Sequence, residues 1–218
     1  MPRPSDRRSR KRLAMRESIS EVATRLFNER GFDHVTVDEI AEAADVGRMT
    51  VFNHFPRKED MFFDRDEEIR EILRKTIRQR DTRVSPIEAL RLLFHQLVAE
   101  QSPYVEFSAA TQRFIETIEG SETLKARARA IRDEIAQFVA VALSEGAGRE
   151  PTDPAAHLAG NLLLAMWTVA RIQAHRTFLQ NRHKEEATAA FLAIIDKGTI
   201  GVMAAMAGTP YARAILSS

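Results

Sequence analysis

Apolar residues in this chain recur three and four positions apart almost from end to end, and they hardly anywhere alternate at period two. That spacing builds helix faces rather than pleated strands, so the expected fold class is all-α. Prolines and glycines punctuate the pattern. The first helix is expected from about Arg10 to Arg30, with Ile19, Val22, Ala23, Leu26 and Phe27 on one face and Gly31 at its stop. Thr36-Val37-Asp38-Glu39 reads as a capping box that opens a short second helix. After a turn, Ala44-Asp45-Val46-Gly47, a third helix runs from about Gly47 to His54, and Pro56 ends it.

A fourth helix is expected from Lys58 to about Arg80. Ser85-Pro86 opens a fifth that reaches about Gln101. Further helical stretches follow at about 104–118, 122–144, 154–179 and 185–207, about nine helices in all. A boundary near Pro56 divides the chain into residues 1–56, three helices behind a basic N-terminal arm, and residues 57–218, a larger helical domain. The fourth helix, running without a flexible linker, is expected to couple the two mechanically.

Composition removes several function classes. The chain has 218 residues and no cysteine, so disulfides, thiol catalysis and cysteine-bound metals are out. No uninterrupted apolar run approaches the ~20 residues of a membrane span, and no apolar stretch follows the N-terminal charges. Neither a membrane partner nor a secretory signal is expected, and the reading is cytoplasmic. The six histidines form no HExxH pair. Neither a glycine-rich phosphate loop nor a GxSxG turn appears. No catalytic residues, metal site or cofactor are therefore expected, and an enzyme is the least favoured class. Net charge is only +1, but seven basic residues and one acidic residue crowd the first sixteen positions. Arg7, Arg8, Arg10, Lys11 and Arg12 are candidates to touch nucleic acid phosphate ahead of the first helix.

Two short helices around a four-residue turn make a helix-turn-helix, with Asp45 able to adopt left-handed geometry and Val46 plugging the turn from below. In that motif the second helix enters the major groove. On its spacing Val51 and Phe55 return to the core, while Arg48, Met49, Phe52 and Asn53 face outward. The segment from Gly31 to Met61 resembles the TetR family of bacterial helix-turn-helix regulators. The resemblance rests on Gly31-Phe32, Thr36, Ile40-Ala41, Ala44, Val46, Thr50, His54-Phe55 and Lys58-Glu59. It covers about fifty residues; the rest of the chain matches only in length and helical layout.

The resemblance implies a transcriptional regulator, in the main a ligand-responsive repressor that binds a palindromic double-stranded operator as a homodimer. It places Thr36 against the DNA backbone, Arg48, Met49 and Asn53 in the groove, and Thr50, His54 and Lys58 on phosphates. Two positions depart from the family pattern. Gly47 stands where many members have serine or threonine, and Phe52 where many have tyrosine, which leaves Phe52 only apolar contact with DNA. The resemblance also implies dimerisation through the last two helices and a largely apolar small-molecule effector in the larger domain. Candidate pocket residues are Phe107, Gln112, Arg113, Phe138, Asn161, Trp167 and Arg171, the two arginines leaving room for an anionic end. The competing reading is a helical protein-interaction module without specific DNA binding.

Overall fold

The computed structural model describes residues 4–64 and 66–213, and among them regular structure is helical throughout. The α-helices are α1 (Pro4–Arg30), α2 (Val37–Ala43), α3 (Arg48–His54), α4 (Glu59–Phe62), α5 (Asp66–Arg78), α6 (Pro86–Ala99), α7 (Ala109–Gly120), α8 (Glu122–Gly146), α9 (Pro154–Asn181) and α10 (Lys184–Ala205). Short 3-10 turns lie at Phe32–His34, Pro103–Val105 and Pro210–Ala212.

The chain divides into two compact units. The first runs through Asp66 and takes in Glu116–Arg127; the second comprises Glu67–Ile115 and the chain from Ala128 onward. The first unit is built around Ile19, Ala23, Phe27, Phe32, Val35, Ile40, Val51, Phe55 and Met61, all buried, with Leu124 completing the core. Returning residues also tie in by polar contacts: Ser121 Oγ donates to Asp33 at 2.9 Å, and Arg127 Nε to Asp60 at 2.9 Å. This return was not foreseen. A lone buried leucine in a charge-rich helix is weak in sequence, because its partners are about a hundred positions away.

The second unit packs α6, α9 and α10 around Leu90, Leu93, Phe94, Leu97, Phe191 and Ile195, with α8 contributing Val139, Ala140 and Leu143. Gly160 lets α9 press against α8, since a Cβ there would fall 2.6 Å from the Ala136 carbonyl oxygen. Gly198 does the same between α10 and α9, where a Cβ would meet Met166 Cγ at 2.4 Å. The C-terminal turn is fastened by the Tyr211 hydroxyl, which donates to Asp153, the N-cap of α9.

Two expectations are corrected. The basic segment is not an arm preceding a helix: α1 already begins at Pro4, so Arg7, Arg8, Arg10, Lys11 and Arg12 lie on its first turns. Arg and Lys are good helix formers, and proline suits a first turn. The Arg7 side chain and all of Arg3 lie outside the described residues. The fourth helix is two pieces, because Phe62 and Phe63 fold back among Phe27 and Phe32. Phe62 lies 6.0 Å from Phe32 and 5.2 Å from Phe63, and Phe63 leaves helical geometry at φ −107°, ψ 46°. The single helix expected from Lys58 to about Arg80 is therefore α4 and α5. By length and composition alone α9 and α10 are long and apolar enough to cross a membrane, a test that packed core helices also pass, and both contribute to the core of the second unit. Polar residues such as Asn161 and Arg171 interrupt every apolar run of α9, but its many alanines and leucines outweigh them on average.

Candidate nucleic-acid interface

The helix-turn-helix is set by local chemistry before any packing. Thr36 caps α2: its Oγ1 accepts from the Glu39 amide at 3.3 Å, and the Glu39 carboxylate accepts from the Thr36 amide at 2.8 Å. Arg30 donates to the same carboxylate at 2.5 Å. Together these hydrogen bonds hold the Glu39 carboxyl near a pKa of about 2, the Thr36 amide being the largest cause and Arg30 next. The helix ends at Ala44, Asp45 turns the chain with φ 53°, and the Val46 amide donates to the Ala41 carbonyl at 3.0 Å. The expected left-handed aspartate and partly buried Val46 are both found.

Helix α3 divides cleanly by depth. Val51 and the following Phe55 are wholly buried, which fixes the rotation of the helix. Met49 is then 70% exposed, and Asn53 is exposed beside it. Arg48 is exposed and makes an ion pair with Asp38 of α2, Nη1 to Oδ2 at 2.9 Å. Such a surface pair is worth only about 0–1 kcal/mol and yields readily to a competing acceptor. The Arg48 guanidinium also lies 5.5 Å from the Phe52 ring, so Phe52 forms a shelf under the arginine. Gly47 caps α3 with φ −73° and ψ 147°, ordinary for any residue, and provides no side-chain cap.

Contacts that the sequence did not reveal fasten α3 to α1. Arg16 Nη1 donates to the His54 carbonyl at 2.6 Å, and its guanidinium sits 4.0 Å over the Phe55 ring. A cation at a helix C-terminus also complements the helix dipole. Arg8, Arg12 and Arg16 are spaced by four on α1, and Arg8 and Arg12 are exposed. His54 is partly buried, and this lowers its pKa; the nearby charges of Arg12 and Arg16 lower it further. Its imidazole is thus neutral near pH 7. Thr50 is partly exposed, and Thr36 is exposed with its hydroxyl engaged in the capping box.

Lys58, expected on a phosphate, is engaged within the chain. Its ammonium turns inward, donating to the carbonyls of Phe32 at 2.9 Å and Val35 at 3.0 Å, and lies 4.1 Å over the Phe32 ring. Partial burial lowers its pKa. It fastens the turn between α1 and α2, sharing the Phe32 carbonyl with the Val35 amide, which donates to it at 3.4 Å.

Of the pocket candidates in the second unit, Trp167 and Arg171 come together, the guanidinium 4.9 Å from the indole. Phe107 is buried in ring contact with Phe191, 5.7 Å between centroids. Phe138 lies under Arg70 and Arg74. Gln112 accepts from Arg182 at 2.8 Å, and Arg113 is exposed. Asn161 is a correction: it is exposed on the outer face of α9 and donates back to the His157 carbonyl at 2.9 Å, so it lines no interior. That outer face also shows Leu158, Val169, Ile172 and Leu179, and α10 shows Ile200 at 72% exposure. Phe191, Ile195 and Val202 on the same helix are buried within the chain.

The family model for bacterial regulatory proteins of the tetR family matches residues 19–64, which carry the whole helix-turn-helix. Among curated proteins, the HTH-type transcriptional regulator TcmR of Streptomyces glaucescens is 31% identical over 91 residues, 42% of this chain and 40% of that one. A putative mycofactocin biosynthesis transcriptional regulator, MftR, of Mycobacterium tuberculosis is 43% identical over 58 residues, 27% of this chain and 29% of its own length. The match thus spans two-fifths or less of either relative. Among solved structures, the TetR-family repressor FadR of Thermus thermophilus, in complex with lauroyl-CoA, has a TM-score of 0.53 at 23% identity, covering 86% of this chain and 93% of that one. A SmeT–triclosan complex has a TM-score of 0.52 at 17% identity, covering 86% and 91%. These two likenesses establish the fold: an N-terminal helix-turn-helix and a C-terminal helical domain.

Proposed function

We propose, on the premise that this chain belongs to the tetR family of bacterial regulatory proteins, that it is a transcriptional repressor which binds operator DNA through α3 and releases it in response to a small molecule. One observation carries the DNA half of this reading. Val51 and Phe55 anchor one side of α3 completely, which turns Arg48, Met49 and Asn53 outward as a row of side chains that nothing in the chain requires there. Arginine reads guanine with two hydrogen bonds, asparagine reads adenine, and methionine offers apolar contact to a thymine methyl. Asp38 holds Arg48 extended until DNA replaces it. Arg8 and Arg12 on the exposed start of α1, with the neutral N–H of His54 and the Thr50 hydroxyl, supply backbone contacts.

A single helix-turn-helix reads few bases, so the working form is a two-fold dimer. Leu158, Val169, Ile172, Leu179 and Ile200 form an apolar surface on α9 and α10 that a second copy of the chain covers. The effector occupies the second unit beside Trp167 and Arg171. It lowers operator affinity because it binds the DNA-incompetent form more tightly.

The test is a mobility shift against salt on an operator fragment. Wild-type affinity falls steeply with added salt. Arg48→Ala relaxes preference at one or two base positions and costs about 1–3 kcal/mol at the preferred site. Binding that ignores both salt and sequence refutes the proposal. Sedimentation of the free protein as a monomer refutes the dimer.

A further inference from the structure

Methionine is a flexible filler of apolar interiors, and this chain mostly uses it so. Among the described residues, Met61, Met166 and Met206 are buried and Met203 is partly buried. Met15 on α1 is 38% exposed. Met49, the second residue of α3, is the most exposed of them at 70%. That exposure is imposed by the packing of α3. Val51 and Phe55 are wholly buried, so the face that carries Met49 is held outward. The early residues of the second helix of a helix-turn-helix are the ones that reach base edges. A thioether therefore stands where the protein meets DNA, open to solvent whenever DNA is absent.

A thioether has a chemistry that leucine or isoleucine lacks. The sequence contains no cysteine, so methionines supply its only sulfur atoms and no thiol competes for an oxidant. With hydrogen peroxide, the sulfur lone pair attacks one peroxide oxygen. An S–O bond forms and the O–O bond breaks. Sulfur gives up two electrons and becomes a sulfoxide. The peroxide is reduced by the same two electrons, and its other oxygen leaves as water, taking the proton of the transferred oxygen. The product side chain is polar, chiral and an acceptor only. Against a thymine methyl it loses the apolar contact, and its S–O dipole leaves water without meeting a donor. Insertion into the groove also covers the sulfur, so the reaction selects the DNA-free protein.

We propose that Met49 is an oxidation site through which a two-electron oxidant such as hydrogen peroxide lowers the affinity of α3 for DNA, reversibly by sulfoxide reduction. This rests on the reading of α3 as the base-contacting helix given above. It adds a second chemical input that acts at the DNA surface itself and needs no ligand in the second unit.

The experiment treats the full-length protein with hydrogen peroxide and follows each methionine by peptide mass spectrometry. Affinity is measured by mobility shift on a duplex that the untreated protein enriches from a random pool. Met49 is expected to oxidise ahead of Met61, Met166, Met203 and Met206. Its conversion is expected to track a loss of affinity of about tenfold or more, the scale of one lost base contact. Methionine sulfoxide reductases of both epimer specificities restore the affinity. In complex with the selected duplex, Met49 stays a thioether at the same peroxide dose. Met49→Leu carries no sulfur there. Whatever its starting affinity, its ratio before and after peroxide stays near one. Full conversion of Met49 with affinity unchanged overturns the proposal and leaves α3 as the reading helix. An equal loss in Met49→Leu assigns the effect to another residue and overturns it too. Oxidation of Met49 as fast in the complex as in the free protein takes the side chain off the bases and likewise overturns it. An untreated protein that enriches no sequence overturns the reading of α3 itself.

Discussion

Lys58→Met separates a structural lysine from a DNA-binding one. In the folded chain the ammonium donates to the Phe32 and Val35 carbonyls at 2.9 and 3.0 Å and stacks on the Phe32 ring. Hydrogen bonds from a charged donor are worth about 1.5–3 kcal/mol each, and a partly exposed cation–π contact about 0.5–1 kcal/mol. These do not add fully. The site is only partly buried, so water replaces some of what is lost, and the methionine retains the apolar stem. The net expected cost is about 2–3 kcal/mol. Urea denaturation followed by far-ultraviolet circular dichroism measures it. Amide exchange then shows whether the opening is local to residues 32–36. With the variant still folded, the slope of log affinity for DNA against log salt should equal that of wild type. A variant of unchanged stability whose salt slope drops by about one would place the ammonium on a phosphate and refute the account.

Other perturbations follow the same logic. The Glu39 carboxyl has a folded pKa of about 2 against an ordinary 4.5, so its stabilising contribution is complete above about pH 4.5 and is lost as pH falls toward 2. Thermal melts between pH 5 and 3 should show this loss in wild type and less of it in Glu39→Gln; identical acid limbs would contradict it. Gly47→Ser should stabilise the protein by a few tenths of a kcal/mol or about 1 at most, because the backbone there is ordinary and an added Cβ meets only Thr50 Oγ1 at 3.9 Å. A lower melting point would show a tighter turn than described. Gly160→Ala drives a Cβ against backbone atoms and should cost about 1–3 kcal/mol, measured by denaturation. Ile200→Asp should leave the chain folded and helical while halving the solution mass; an unchanged mass would remove α10 from the dimer surface.

The DNA-binding half was legible because its signals are local. The Thr36–Glu39 box, the aspartate in the turn and the Val51 and Phe55 return all act within four residues, and each is found where the sequence put it. The contacts of Lys58 within the chain were not legible because its partners, Phe32 and Val35, are carbonyls, which no side-chain pattern announces. Arg16 was missed for the same reason. In the second unit the spacing of α9 and α10 located the helices but could not say which apolar stripe meets the chain itself. Phe191 and Ile195 are as hydrophobic as Ile200, and only packing separates them. Trp167 and Arg171 stood among the pocket candidates separately, and only the structure shows them in contact, one turn apart on α9. Asn161, nearby in sequence, faces the other way because a helix turns about 100° per residue.

The central claim is that α3 reads DNA as one half of a two-fold dimer. Selection of bound sequences from a random double-stranded pool with the full-length protein, at two salt concentrations, tests it most directly. The account predicts enrichment of a near-palindrome whose half-sites lie about one helical turn apart, ~34–36 Å or a multiple of it. It further predicts that Arg48→Ala loses preference at matching positions in both halves. A pool that emerges without a common sequence, or with a single unpaired half-site unaffected by Arg48→Ala, would contradict it.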